Sequence, residues 1–124
     1  MNKILIIDDE VNLRETINEL LTYSGYEVYE AENGKDGIEK IKETEPNLIL
    51  CDIMMPVLDG YGFMNELKKT KFHQIPVLFI SAKVAVEDQS KGISLGVKGY
   101  IEKPFEFKEL ISAVKLNIIP TGTE

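Results

Sequence analysis

The chain has 124 residues, 44% hydrophobic and 28% charged, which suits one globular domain with a single core. Its formal net charge of −7 gives little electrostatic support to a nucleic-acid-binding surface, so no direct nucleic-acid partner is expected. The single cysteine, Cys51, excludes an intramolecular disulfide and argues against a metal–thiolate site, and no run approaches the ~18 apolar residues of a membrane span. "MNKILIIDDE" has too short an apolar run for a signal peptide, and a cytoplasmic protein is the expectation.

"KILII" (3–7) is a short continuous apolar run, the mark of a strand buried on both faces. Leu13, Ile17, Leu20 and Leu21 then recur as one face of a helix, for which Gly25 supplies a stop. "EVYEA" (27–31) alternates like a strand. Residues 34–44 read as a polar helix with Ile38 and Ile41 turned inward, and Pro46 bars its continuation. "NLILCD" (47–52) is a third strand, followed by a helix over 59–70 with Phe63, Met64 and Leu67 on one side. "PVLFIS" (76–81) is another buried strand, and residues 87–95 a helix ending near Gly96. "KGYIE" (98–102) is the fifth strand, and Phe107, Leu110, Ile111 and Val114 mark the last helix at i, i+3, i+4 and i+7.

This alternation predicts an α/β fold, a parallel sheet with helices on both faces and right-handed crossovers. Ligands of such sheets bind beyond the carboxyl ends of the strands. The residues at those ends are Asp8 and Asp9 after the first strand, Asp52 at the third, Ser81 at the fourth and Lys103 after the fifth. Each has a bland alternative: Asp9 as a helix N-cap, Ser81 as a strand-end hydroxyl, Lys103 as a surface lysine. All five together at one sheet edge are harder to explain that way.

Two carboxylates ~4 Å apart repel by roughly 4 kcal/mol at an effective dielectric of ~20. A cluster of three needs a cation or must take up protons. Carboxylate oxygens with few other ligands suit a hard, hydrated divalent ion, with Mg²⁺ the first choice. Such an ion, near a lysine and a hydroxyl, makes a clamp for a phosphoryl group. Asp52 stands alone on its strand end and is placed as the nucleophile, forming an aspartyl phosphate.

"IIDDE", "LILCDIMMPVLDG", "FISA" and "GYIEKPF" resemble the successive signature segments of the receiver domain of two-component response regulators, the chemotaxis-regulator type included. The resemblance runs from residue 3 to about 118, in the family's order and spacing. It implies a doubly wound, flavodoxin-like sheet in the order 2-1-3-4-5 with five helices. It implies further that Asp52 accepts phosphate from a phosphohistidine on a sensor histidine kinase or phosphotransfer protein. Mg²⁺ would be held by Asp9, Asp52 and the Met54 carbonyl, with Asp8 acting through water. Lys103 would pair with phosphoryl oxygens, Ser81 would hydrogen-bond one, and backbone N–H groups near Met54 and Ala82 the others. The Lys103–Pro104 bond matches one the family holds in cis.

Tyr100 matches the family's aromatic switch residue, turning inward as the hydroxyl at 81 moves toward the phosphoryl group. Ser81 stands where many relatives carry threonine, which loosens that coupling. Met54 and Lys83 flank the site at variable positions and would alter water access. The domain is thus expected to be a switch between two conformations, with the fourth helix, fifth strand and fifth helix as readout face toward an output domain or target protein. It would catalyse no reaction beyond its own phosphotransfer and dephosphorylation.

Two rival readings use the same acids. A Mg²⁺-dependent phosphatase would need a second Asp two residues after Asp52 and a cap insertion, and "IMMPVLDG" offers neither. A binding module without phosphotransfer would lack an acid or the lysine, and none is lacking. A dinucleotide-binding domain would need a Gly-rich turn where "DDE" stands. His73 reads as an exposed loop residue at the opposite sheet end from Asp52. Of Met54 and Met55, one should pack and the other flank the site. The receiver is expected to span 1–119, with 120–124 a tail or the start of a linker.

Overall fold

In the computed structural model, which describes residues 2–82 and 85–119, strands and helices alternate throughout. The elements are β1 (Lys3–Ile7), α1 (Val11–Tyr23), β2 (Glu27–Ala31), α2 (Gly34–Thr44) and β3 (Leu48–Asp52). They continue as α3 (Gly60–Leu67), β4 (Val77–Ser81), α4 (Val86–Ser94), β5 (Gly99–Glu102) and α5 (Phe107–Asn117). All strand pairs are parallel and the sheet order is β2-β1-β3-β4-β5. The expected fold is the observed one. Lys83 and the 120–124 tail, both singled out in the sequence, lie outside the described residues.

The near-continuous apolar strands follow from burial on two faces. Ile4, Ile6, Leu48, Leu50, Leu78 and Ile80 point to one side, where Ile17 and Leu21 of α1 and Leu110 and Val114 of α5 cover them. Leu5, Ile7, Ile49, Cys51 and Phe79 point to the other, against Ile41 of α2 and Phe63, Met64 and Leu67 of α3. Each such aliphatic or aromatic side chain contributes about 1.5–3 kcal/mol on leaving water. Cys51 is a small hydrophobe in this layer, fully buried. α4 differs from the other helices, since Gly92 is its one buried residue among those described.

Local chemistry sets the boundaries. Gly25, at φ +101°, turns the chain out of α1, as expected from the sequence. Glu45 adopts φ +48° just ahead of Pro46 and ends α2. The third helix is shorter than the 59–70 expected. Asp59 is its cap, accepting from the Gly62 N–H at 2.8 Å; the Lys68 N–H still reaches Met64, while those of Lys69 and Thr70 turn to the Glu66 and Leu67 carbonyls. The fourth helix starts one residue earlier than expected and ends one earlier, at Ser94. β4 begins after Pro76, which has no N–H to give the ladder.

Candidate functional site

Strand register assembles the site. Ile7 of β1 pairs with Cys51 of β3, so the next residues, Asp8 and Asp52, emerge side by side at the carboxyl edge. Asp52 pairs with Ile80 of β4, which puts Ser81 one step further on, and Ser81 pairs with Glu102 of β5. Lys103 follows, its N–H donating to the Ser81 carbonyl at 3.0 Å. The Lys103–Pro104 peptide is cis.

Carboxylate oxygens of Asp8, Asp9 and Asp52 all lie within 4.8 Å of one another. Asp8 is 1% and Asp52 7% exposed, whereas Asp9 faces solvent. Lys103 Nζ reaches between the two buried acids, 3.4 Å from Asp8 Oδ2 and 3.6 Å from Asp52 Oδ2. Backbone N–H groups hold the remaining oxygens: Glu10 donates to Asp8 Oδ1 at 2.9 Å and Ile53 to Asp52 Oδ1 at 2.8 Å. Lys103 is therefore a paired, largely buried cation and not a surface lysine.

Asp9 is not the helix cap that its position allowed. The cap position of α1 belongs to Glu10, whose side chain makes no capping bond, and Asp8 receives the Glu10 N–H. Asp9 is left facing outward with its carboxylate toward the other two.

Burial pushes the Asp52 carboxyl up from 3.8 to about 6, with the charge of Asp8 adding to it. Lys103 and the Ile53 N–H pull the other way without restoring the ordinary value. Asp8 is raised for the same first reason, burial, against the opposing Glu10 N–H and Lys103. One ammonium among three carboxylates leaves two negative charges uncompensated. That residue of charge, presented on oxygen atoms alone and close enough together to face one ion, fits a divalent hard cation such as Mg²⁺.

Ser81 is buried at the end of β4. Met54 leaves the edge with its side chain 61% exposed, while Met55 packs in the core. Tyr100 is half-buried on β5, its hydroxyl donating to the Asp88 carbonyl of α4 at 2.5 Å and its ring edge-on to Phe79. Phe79 in turn meets Tyr61 of α3 edge-on, and Lys91 of α4 lies 4.0 Å over the Tyr61 ring. α4 is thus held from outside its own sequence by two tyrosines. A cavity of about 520 Å³, with Leu13, Leu20, Pro104, Phe105 and Phe107 in its wall, opens beside Lys103.

Three contributors were missed in the sequence. Arg14 Nη1 donates to the Asp8 carbonyl at 2.8 Å while its Nε pairs with Glu30 at 2.6 Å, fixing the β1–α1 turn. Its place one helical turn after "DDE" was the available signal. Gly60 is a close-approach position, because a Cβ there would meet the Asp52 carbonyl oxygen at 2.7 Å. Its "DG" pairing after the strand was the signal. Lys91 on Tyr61 had none.

Residues 4–115 match the family model described as response regulator receiver domain. The chain is 40% identical over 113 residues to the "Probable transcriptional regulator ycf27" of Porphyridium aerugineum, covering 91% of this chain and 46% of that protein. It is 37% identical over 115 residues to the transcriptional regulatory protein PcoR of Escherichia coli, covering 93% and 50%. It therefore spans about half the length of these curated relatives. Among solved structures, the chemotaxis protein CheY4 of Vibrio cholerae superposes with a TM-score of 0.91 at 26% identity, covering 95% of this chain and 99% of that one. No described helix is long and apolar enough to cross a membrane. Sequence, sheet order and edge geometry converge, and the chain belongs to the response regulator receiver domain family, whose members are signalling switches working with histidine kinases and output domains.

Proposed function

We propose that this receiver accepts a phosphoryl group on Asp52 from a histidine kinase or phosphotransfer protein in a Mg²⁺-dependent reaction and thereby controls an output domain or target protein. The observation that carries the reading is the buried carboxylate of Asp52, raised to about 6 and flanked by two further acids and one lysine at the sheet edge.

An Asp52 oxygen attacks phosphorus, the P–N bond to the donor imidazole breaks, and the imidazole leaves with that electron pair. Asp8, Asp9 and Asp52, with the Met54 carbonyl, would hold the ion. When bound, Mg²⁺ neutralises phosphoryl oxygens and the surplus negative charge of the acids. Lys103 is already aimed at Asp52 and would follow the new oxygens, moving its proton-rich head away from Asp8. Ser81, in register beside it, would donate its hydroxyl to one of them. The cavity next to Lys103 offers an apolar seat for the donor protein. Hydrolysis of the aspartyl phosphate by water returns the carboxylate and ends the signal.

The new phosphoryl group adds about two negative charges. They act on the equilibrium only if Lys103 and Ser81 hold them better in one conformation than the other. Tyr100, seated against α4, is the group through which that preference would reach the surface. A cytoplasmic setting, where kinase and Mg²⁺ meet, belongs to the same proposal. The test is incubation with acetyl phosphate, with and without EDTA. The wild type should incorporate phosphate only with Mg²⁺, and Asp52→Asn should incorporate none. Equal labelling of the variant refutes the assignment.

A further inference from the structure

The amino edge of the sheet, opposite Asp52, carries a feature of different chemistry. A groove of about 420 Å³ lies between the ends of α3 and α4, beside the entries to β4 and β5. Its floor is apolar: Met64 and Leu67 are buried, and Ile75 and Leu95 are half-buried. Its rim is Lys68, His73 and Lys98, all exposed, and no carboxylate lines it. That is a local inversion of sign in a chain of net charge −7. By contrast, the neighbouring cations Lys69 and Lys71 are engaged, the first with Glu66 at 3.1 Å and the second 5.3 Å over Phe72. Lys68, His73 and Lys98 form no side-chain ion pair or hydrogen bond among the described residues.

Lys68 has a structural reason to be there, since it caps the negative C-terminal end of α3. Lys98 and His73 have none of that kind, for they stand on loops. We infer that this groove docks an acidic peptide segment bearing one apolar anchor side chain, supplied by a partner protein. The anchor covers Met64, Leu67, Ile75 and Leu95, and the flanking carboxylates meet the ammonium groups of Lys68 and Lys98 and the N–H of the His73 imidazole. A small free ligand suits the shape less well, because typical ligand pockets bury about 70–90% of their occupant and this groove is partly open to solvent. A continuing chain needs only one side chain covered. Because Leu95 caps α4, an occupied groove also bears on the helix that Tyr100 holds.

The test uses the whole chain, ¹⁵N-labelled, and an acetylated peptide Glu-Asp-Leu-Phe-Glu-Glu as probe. The expected result is a saturable shift confined to Lys68, His73 and residues 95–98, with the lone imidazole as a separate reporter. Exchanging the peptide's acids for lysines should abolish the response, and K68E with K98E should weaken it by about tenfold or more while leaving the rest of the spectrum unchanged. Four outcomes overturn the inference: no localised shift at millimolar peptide, an equal response to phenylacetate, displacement of the peptide by a thymidine oligonucleotide, or dilution-dependent shifts that place a second copy of the chain in the groove.

Discussion

Gly92 and Tyr100 share one space: a Cβ on Gly92 would overlap the Tyr100 hydroxyl and stand 2.8 Å from Cζ. The hydroxyl sits there because it donates to the Asp88 carbonyl one turn earlier in α4. Two effects oppose each other in Gly92→Ala. Helix propensity favours alanine by up to about 1 kcal/mol, whereas overpacking against a ring costs about 1–3 kcal/mol. Overpacking wins, so the variant should lose about 1–2 kcal/mol in urea titration. In a Tyr100→Ala background the same substitution should become stabilising. A stabilising effect in the wild-type background would remove Tyr100 from its seat.

Asp52 should make stability fall as pH rises. Its folded carboxyl holds a proton up to about 6, its unfolded one only to 3.8, so the folded state binds more protons between those values. The charged form therefore costs about 3 kcal/mol above that window and nothing below it. Asp8 shifts in the same direction. Metal-free Asp52→Asn should exceed the wild type in stability by up to about 3 kcal/mol near neutral pH, with the lead gone by about pH 4. Denaturant midpoints across that range measure it. A lead that persists at low pH contradicts the burial argument.

Mg²⁺ should reverse the same cost. At about ten times its dissociation constant it stabilises the native state by roughly 1.4 kcal/mol. Thermal unfolding should show this for the wild type and much less for Asp9→Asn, whose carboxylate is the solvent-facing member of the cluster. Calcium-free buffers and a constant ionic strength separate coordination from screening. An undiminished shift in Asp9→Asn argues against the three-acid site.

Val57 has φ +70°, and the Leu58 N–H donates to the Pro56 carbonyl at 2.7 Å, which makes 56–58 the strained positive-φ form of the γ-turn. Such a backbone costs a non-glycine residue about 1–2 kcal/mol. Glycine loses about 0.4–1 kcal/mol of that gain through the unfolded chain. Val57→Gly should thus be more stable by about 0.5–1 kcal/mol, despite the loss of an apolar side chain that is 75% exposed anyway. Chemical denaturation decides it, and a destabilised variant would contradict the strain.

The strands were legible because burial on both faces leaves no polar position in "ILII" (4–7) or "LFI" (78–80). Their ends were legible for the complementary reason, since a charge such as Asp52 can follow such a run only at an edge. Distances between residues far apart in sequence were not. Asp8 taking the Glu10 N–H, and so freeing Asp9 to face outward, depends on the turn that Arg14 fixes from α1 and Glu30 from β2. The seat at Gly92 depends on a strand that follows it, and Lys91 meets Tyr61 across 30 positions of chain. Periodicity placed α3 too long because the chain keeps turning through 68–70, but after Lys68 the bonds of residues 69 and 70 are of shorter reach.

The proposed function requires the side chain at position 52 to accept phosphorus. Borohydride reduction after phosphorylation by acetyl phosphate converts an aspartyl phosphate to homoserine, and peptide mass spectrometry locates it. Homoserine at position 52, requiring Mg²⁺ and absent from Asp52→Asn, is the expected result. Homoserine at position 8 or 9, or a stable phosphate on Ser81 or His73, would contradict it.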